Sequence, residues 1–124
     1  MRYLLDANTI ILALTGAHPL LRQRIGEREE GEVITSAIAF AEVAHGSARG
    51  KPRAFGRLQA FVNEIPVLDF DFAAARAYAA LPFKRGSFDR LIAAHALSIG
   101  ATVVTSNRAD FADVPGLAVE DWTA

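Results

Sequence analysis

Tyr3-Leu4-Leu5-Asp6-Ala7-Asn8-Thr9 joins an apolar run to a polar triplet that opens a helix. Tyr3 to Leu5 show no alternation and suit a buried strand, which Asp6 ends. The helical stretch then runs to Leu14. A carboxylate set directly after an apolar strand is costly unless a charge meets it. Ligands of open α/β sheets bind beyond the carboxyl ends of the strands. Asp6 is therefore a candidate metal ligand or catalytic acid. The competing reading is a helix cap accepting a free backbone N–H. This stretch alone leaves the two readings even.

Outward from it, strands and helices alternate. After a turn at Gly16 and Pro19, Leu20, Leu21 and Ile25 line a second helix that runs into the charged stretch Glu27 to Glu32 and is expected to end at Gly31. Glu32 to Thr35 reads as a strand, Ser36 as an N-cap, and Ala37 to Ala48 as a helix of small residues. Gly50 and Pro52 break it, and Phe55, Leu58, Phe61 and Val62 repeat at helical spacing over 53–63. Ile65 to Leu68 is expected as an edge strand, because Pro66 cannot donate to a central ladder. A helix over 71–81 follows. Another, opened by Gly86 and Ser87, ends at Gly100. Ala101 to Thr105 is a β-branched strand, Ser106 to Asp110 a polar turn, and Leu117 to Val119 a last strand. The class is α/β with a mainly parallel sheet of four to five strands flanked by helices.

At 124 residues, one domain spanning 1–124 is expected. Hydrophobic residues make up 52% and charged residues 22%, which excludes a disordered chain. With no cysteine and three histidines, thiolate sites are excluded. A bound metal would then rest on carboxylates, pointing to Mg²⁺ or Mn²⁺. The net charge of −1 gives no bulk argument for nucleic acid. Basic residues do cluster, as Arg49, Lys51, Arg53 and Arg57, and as the pair Lys84 and Arg85; each cluster alone reads first as a solvated surface. No segment reaches the roughly 20 apolar residues of a membrane span. Asp6 stands between Arg2 and the apolar run from Ile10, so a secretory signal is not expected and a cytoplasmic chain is.

Three further acids stand in awkward places. Glu42 is the only charge in Ile38-Ala39-Phe40-Ala41-Glu42-Val43-Ala44, with His45 and Arg49 on its face as surface partners in the ordinary reading. Asp89 lies in the first turn of the Ser87 helix, where the helix dipole alone would account for it. Asp110 follows the strand over 101–105, with Asp113 and Asn107 as neighbouring alternatives. Taken together with Asp6, these positions fall on one edge of a doubly wound sheet. Four carboxylates there would not all ionise without a cation. One or two divalent ions would remove the conflict and serve phosphodiester chemistry.

Leu4-Leu5-Asp6-Ala7-Asn8-Thr9, Ala41-Glu42-Val43, Asp89-Arg90-Leu91-Ile92-Ala93-Ala94-His95-Ala96 and Val103-Val104-Thr105-Ser106-Asn107-Arg108-Ala109-Asp110-Phe111 resemble the PIN domain. More narrowly, they resemble the VapC toxins of bacterial toxin–antitoxin pairs. The likeness extends over the whole chain, to the ending from Val114 to Trp122. It implies a three-layer PIN-like fold and a Mg²⁺- or Mn²⁺-dependent endoribonuclease that cuts structured RNA, often tRNA, and stops translation. It also implies a VapB-like antitoxin and a homodimer or larger complex. Asp6, Glu42 and Asp89 match the three family acids. The fourth falls at Asp110 or at the Asn107 position. Asn8 and Thr9 match residues that brace the site, and Thr105 is expected to hydrogen-bond a ligating carboxylate. In the implied mechanism the metal acidifies a water that attacks phosphorus in line. His45 and His95 are candidate acids for the leaving oxygen, and Arg49, Lys51, Arg53, Lys84 and Arg85 are candidate contacts to the RNA backbone. Two rivals are an Asp-based phosphatase of the haloacid-dehalogenase type, which would need an acid where Asn8 stands, and a PIN-like binding module without activity.

Overall fold

The computed structural model describes residues 1–16, 18–48 and 52–124, with the side chains of 47–48 and 52–56 also left aside. Its strands are β1 (Tyr3–Leu5), β2 (Val33–Ser36), β3 (Val67–Leu68), β4 (Thr102–Val104) and β5 (Val119–Glu120). They form one sheet in the order β3-β2-β1-β4-β5, and every pairing is parallel. Among the described residues six helices flank it: α1 (Ala7–Thr15), α2 (Pro19–Gly26), α3 (Ala37–Ala48), α4 (Pro52–Glu64), α5 (Phe72–Ala79) and α6 (Phe88–Ile99). None of the described helices is long and apolar enough to cross a membrane.

β1 lies at the centre, with Leu4 opposite Ile34 on one side and Val103 on the other. A central parallel strand is covered on both faces, which is why Tyr3-Leu4-Leu5 shows no polar alternation. Leu4 and Leu5 are fully buried, as are Ile92, Val103 and Val104. α1, α3 and α4 pack on one another, α5 lies along α6, and α3 also meets α6. Hydroxyls of buried threonines stitch the sheet to its surroundings. Thr35 Oγ1 donates to the Leu5 carbonyl at 2.8 Å, and Thr9 Oγ1 donates to the Val104 carbonyl at 3.1 Å.

β3 is an edge strand, as Pro66 requires, and the Pro66 carbonyl still accepts from the Thr35 N–H. α6 ends where Gly100 takes a left-handed conformation at φ 67°. The second helix is shorter than the sequence suggests: it ends at Gly26, not Gly31. The Glu27 N–H closes onto the Gln23 and Ile25 carbonyls. Arg28 then leaves the helical path and lies over the rings of Tyr3 and Trp122, at 4.5 and 5.3 Å from their centres. Gly31, at φ 89°, instead turns the chain into β2. The last strand also sits later than expected, pairing Val119 and Glu120 with Val103 and Val104.

The order of the strands sets the position of everything that follows. From β1 the chain moves to β2 and β3 on one side, then returns past β1 to β4 and β5 on the other. The loops after β1 and β4 therefore part from each other at the carboxyl edge and leave a crevice between them.

Candidate functional site

Asp6 is the residue after β1 and is 3% exposed. Its Oδ1 accepts the Thr9 N–H at 2.9 Å and caps α1. The two readings open in the sequence are thus compatible, because capping uses only one carboxylate oxygen and fixes the direction of the group. Thr9 braces this corner twice, by that N–H and by its hydroxyl on Val104. Asn8 is exposed on α1, with no side-chain hydrogen bond to Asp6 among the described residues.

Glu42 sits in α3, the helix that leaves the carboxyl end of β2. The ordinary surface pairing does not describe it: Oε1 is buried and has no hydrogen-bond partner among the described residues. Its carboxyl is held above the usual range by burial, then by the charge of Asp89, then by Asp6. Asp89 is in the first turn of α6. The Ser87 hydroxyl accepts the Arg90 N–H at 3.1 Å and caps that turn. The helix dipole should favour an ionised acid there, yet Asp89 too is raised, by burial, then Asp110, then Asp6. Desolvation and like charges outweigh the dipole. Asp110 is exposed, in the short 3₁₀ turn Arg108–Asp110 after β4.

Four elements thus bring Asp6, Glu42 and Asp110 within electrostatic reach of Asp89, and Asp6 within reach of Glu42. Of the positions considered for the fourth acid, Asp110 carries the charge that reaches Asp89. Asp113 faces Arg90 at 3.8 Å instead. Their charges are near enough to raise the proton affinity of Glu42 and Asp89, but the acids are not drawn into a ligand shell. Among the described residues no group of three or more His, Asp or Glu side chains is arranged to hold an ion. The donor set nevertheless fits a hard divalent cation: all oxygen, mutually repelling, with one buried oxygen lacking any hydrogen donor.

Several expectations need correction. Among the described residues Thr105 bonds no carboxylate; its Oγ1 accepts the Asn107 N–H at 3.0 Å and closes the turn after β4. Asn107 is exposed and contributes to that turn through its backbone. His95 is no acid for a leaving oxygen. It is 2% exposed, shares a 2.8 Å hydrogen bond between Nδ1 and Ser36 Oγ, and meets the edge of Phe70. Burial holds its ring below the usual histidine range, against a smaller opposing pull from Asp71. His45 is exposed on α3. Arg49, Lys51 and the side chain of Arg53 lie outside the described residues. Arg57, of the same cluster, is committed to the fold, donating to the Leu14 carbonyl at 3.1 Å. Lys84 and Arg85 are exposed in the loop before Asp89.

Arg90 escaped sequence reading. It lies 3.9 Å over the Phe83 ring, donates to the Arg85 carbonyl and faces Asp113. The available signal was the mixing of Tyr78 and Phe83 with the basic residues 84, 85 and 90.

The PIN domain model matches residues 3–117. The tRNA(fMet)-specific endonuclease VapC of Shigella flexneri is 33% identical over 132 residues, covering 99% of each chain. Among solved structures, VapBC2 from Rickettsia felis bound to a promoter DNA fragment superimposes with a TM-score of 0.89 at 26% identity, covering 98% of this chain and 99% of that one. DNA-bound VapBC from Salmonella typhimurium gives 0.86 at 30% identity, with 98% of each chain covered. An all-parallel sheet with four acids gathered at its switch point, matched along its length by these proteins, places this chain in the PIN domain family, among its VapC-type nucleases.

Proposed function

We propose that this chain is a metal-dependent endoribonuclease toxin that hydrolyses phosphodiester bonds in structured RNA, with tRNA as the substrate class. It thereby inhibits translation until a VapB-like antitoxin covers the site. The observation that carries this reading is the set of four repelling acids at the carboxyl edge, with Glu42 Oε1 buried and unpartnered. The relatives' names, endonuclease and ribonuclease, support the reaction class. The solved VapBC complexes support a partner protein.

Each side chain has a task that follows from its setting. Asp6 is oriented by its cap on α1 and by the brace from Thr9 to β4. Asp89 is oriented by the capped first turn of α6. Glu42 brings an oxygen with no competing donor, and Asp110 adds charge from the exposed side. Mg²⁺ or Mn²⁺ held by these four would supply the positive charge that acidifies a water and offsets the phosphate oxygens. Lys84 and Arg85 hold the RNA backbone beside Asp89. The site works in the cytoplasm, as a homodimer or within a larger toxin–antitoxin complex.

The test is cleavage of total tRNA by the purified chain in Mn²⁺ and in EDTA, beside Asp6→Asn. Asparagine caps helices as well as aspartate does, so the variant keeps its fold. Cleavage is expected in Mn²⁺ only, and only from the native chain. Undiminished cleavage by Asp6→Asn would refute the site. Absence of EDTA-sensitive cleavage on any RNA would favour a binding module.

A further inference from the structure

Between the end of α5 and the start of α6 lies a hollow lined by Tyr78, Phe83, Lys84, Arg85, Gly86 and Arg90, among others. Its walls combine aromatic rings with three cations. The opposite sign prevails one step away, at Asp89. We propose that this hollow is an RNA subsite, which takes the phosphate and sugar of a nucleotide flanking the scissile bond. The inference rests on the ribonuclease reading above and adds a location and a polarity to it.

Three features make the hollow a built surface. The Tyr78 hydroxyl packs directly on Gly86, since a Cβ there would stand 2.1 Å from its oxygen and would have to displace it. Arg90 is pinned over Phe83 and bonded to the Arg85 carbonyl, so the loop carrying Lys84 and Arg85 is tied to the helix that carries Asp89. Lys84 and Arg85 are exposed and have no ion-pair partner among the described residues, whereas Arg90 faces Asp113. Their charges are therefore free for a ligand.

The alternation of sign selects the ligand. A nucleic-acid strand offers phosphates in succession, one for the acids and their cation and the next for Lys84 and Arg85. Phosphate contacts of this kind fix register without reading sequence. An acidic peptide would satisfy the cations but would be repelled by the adjoining carboxylates.

The hollow is tested in the full chain, on the cleavage-dead Asp6→Asn background in EDTA. Fluorescence anisotropy follows a labelled oligouridylate over a range of salt, with and without Lys84→Ala/Arg85→Ala. Loss of one or two phosphate contacts on a single strand lowers the slope of log K against log salt by about 0.7–1.4, and affinity at low salt falls by about tenfold. The charge-conserving swap Lys84→Arg/Arg85→Lys restores both. In the active protein the double alanine variant raises KM for tRNA more than it lowers kcat. An unchanged salt slope in a variant with native circular dichroism overturns the proposal. So does loss of polyglutamate binding with RNA binding intact, which would make the hollow a protein-docking surface. Failure of the nuclease reading shows separately, as missing EDTA-sensitive cleavage by the native chain. The anisotropy slope decides the hollow whichever way that assay falls.

Discussion

Replacing Glu42 by Gln should make the metal-free protein more stable while it destroys the site. Burial and the charges of Asp89 and Asp6 all oppose ionisation of Glu42, and Oε1 has no hydrogen-bond partner among the described residues. The amide has nearly the same shape and ends two repulsions. The carboxyl is partly solvent-exposed, so each repulsion is screened to about 0.2–1 kcal/mol. Some of that gain is lost in desolvating the amide, which leaves a net stabilisation of about 1 kcal/mol. For a chain of this length the rise in Tm is about 3–5 °C. Thermal melts at pH 7 in EDTA measure it directly. If the proposed metal site is right, adding Mn²⁺ should stabilise the native protein by preferential binding to the folded state, and the variant should gain less, so the ranking of the two should narrow or reverse. The pH arm has a definite sign. An acid whose folded-state affinity for protons is raised stabilises the fold at pH below its unfolded value and loses that contribution as pH rises through the folded value. The difference between variant and native protein should therefore shrink as the pH is lowered from 7 towards the ordinary glutamate value of 4.5. A variant that melts below the native protein in EDTA would refute the reasoning, because Glu42 would then have a stabilising partner rather than repelling neighbours.

His95→Gln should destabilise the fold by about 1–3 kcal/mol at pH 7, through loss of a buried hydrogen-bonded ring. Because burial holds the ring below 6.5, its contribution is complete above that pH and lost as the pH falls below it; an unchanged acid limb in urea titrations of the variant would contradict this. Thr9→Val removes the hydroxyl donor to Val104, but that carbonyl keeps the Asp6 N–H at 3.1 Å. The expected cost is thus the low end of a hydrogen bond, about 0.5–1 kcal/mol, with a larger fall in RNA cleavage as Asp6 loosens. A variant with full activity at saturating Mn²⁺ would show that Thr9 does not position the acid.

What could be read from the sequence was what depends on neighbours along the chain. The apolar run before Asp6, the Ser87 cap, the Gly100 stop and Pro66 at an edge each state a local rule, and each element appears near its expected place. The four acids were legible as a set because a doubly wound order sends the ends of β1, β2 and β4 to one side. What failed was what depends on partners distant in sequence. Gly26 rather than Gly31 is the last residue of α2, and Arg28 just beyond it lies over the rings of Tyr3 and Trp122, contacts that no local rule announces. Thr105 turned to its own loop, and His95 to Ser36, fifty-nine residues away. Asp6 shows the limit of either/or reading: its cap is local and visible, while the second use of the carboxylate depends on helices 36 and more residues downstream.

The order of strands in the sheet also has a meaning in time. β1 is made first but sits innermost, between β2 and β4. While the chain is being synthesised, Leu4 and Leu5 can find β2 early, but their other edge stays open until residues 102–104 have been added. Asp6 then waits for Asp89 and Asp110, which follow it by more than eighty residues. At about 5–20 residues per second, that delay lasts seconds. A product cut short before β4 carries the first acid without the frame that gathers the others. The nuclease site therefore comes into existence only after strands on both sides of β1 have been made.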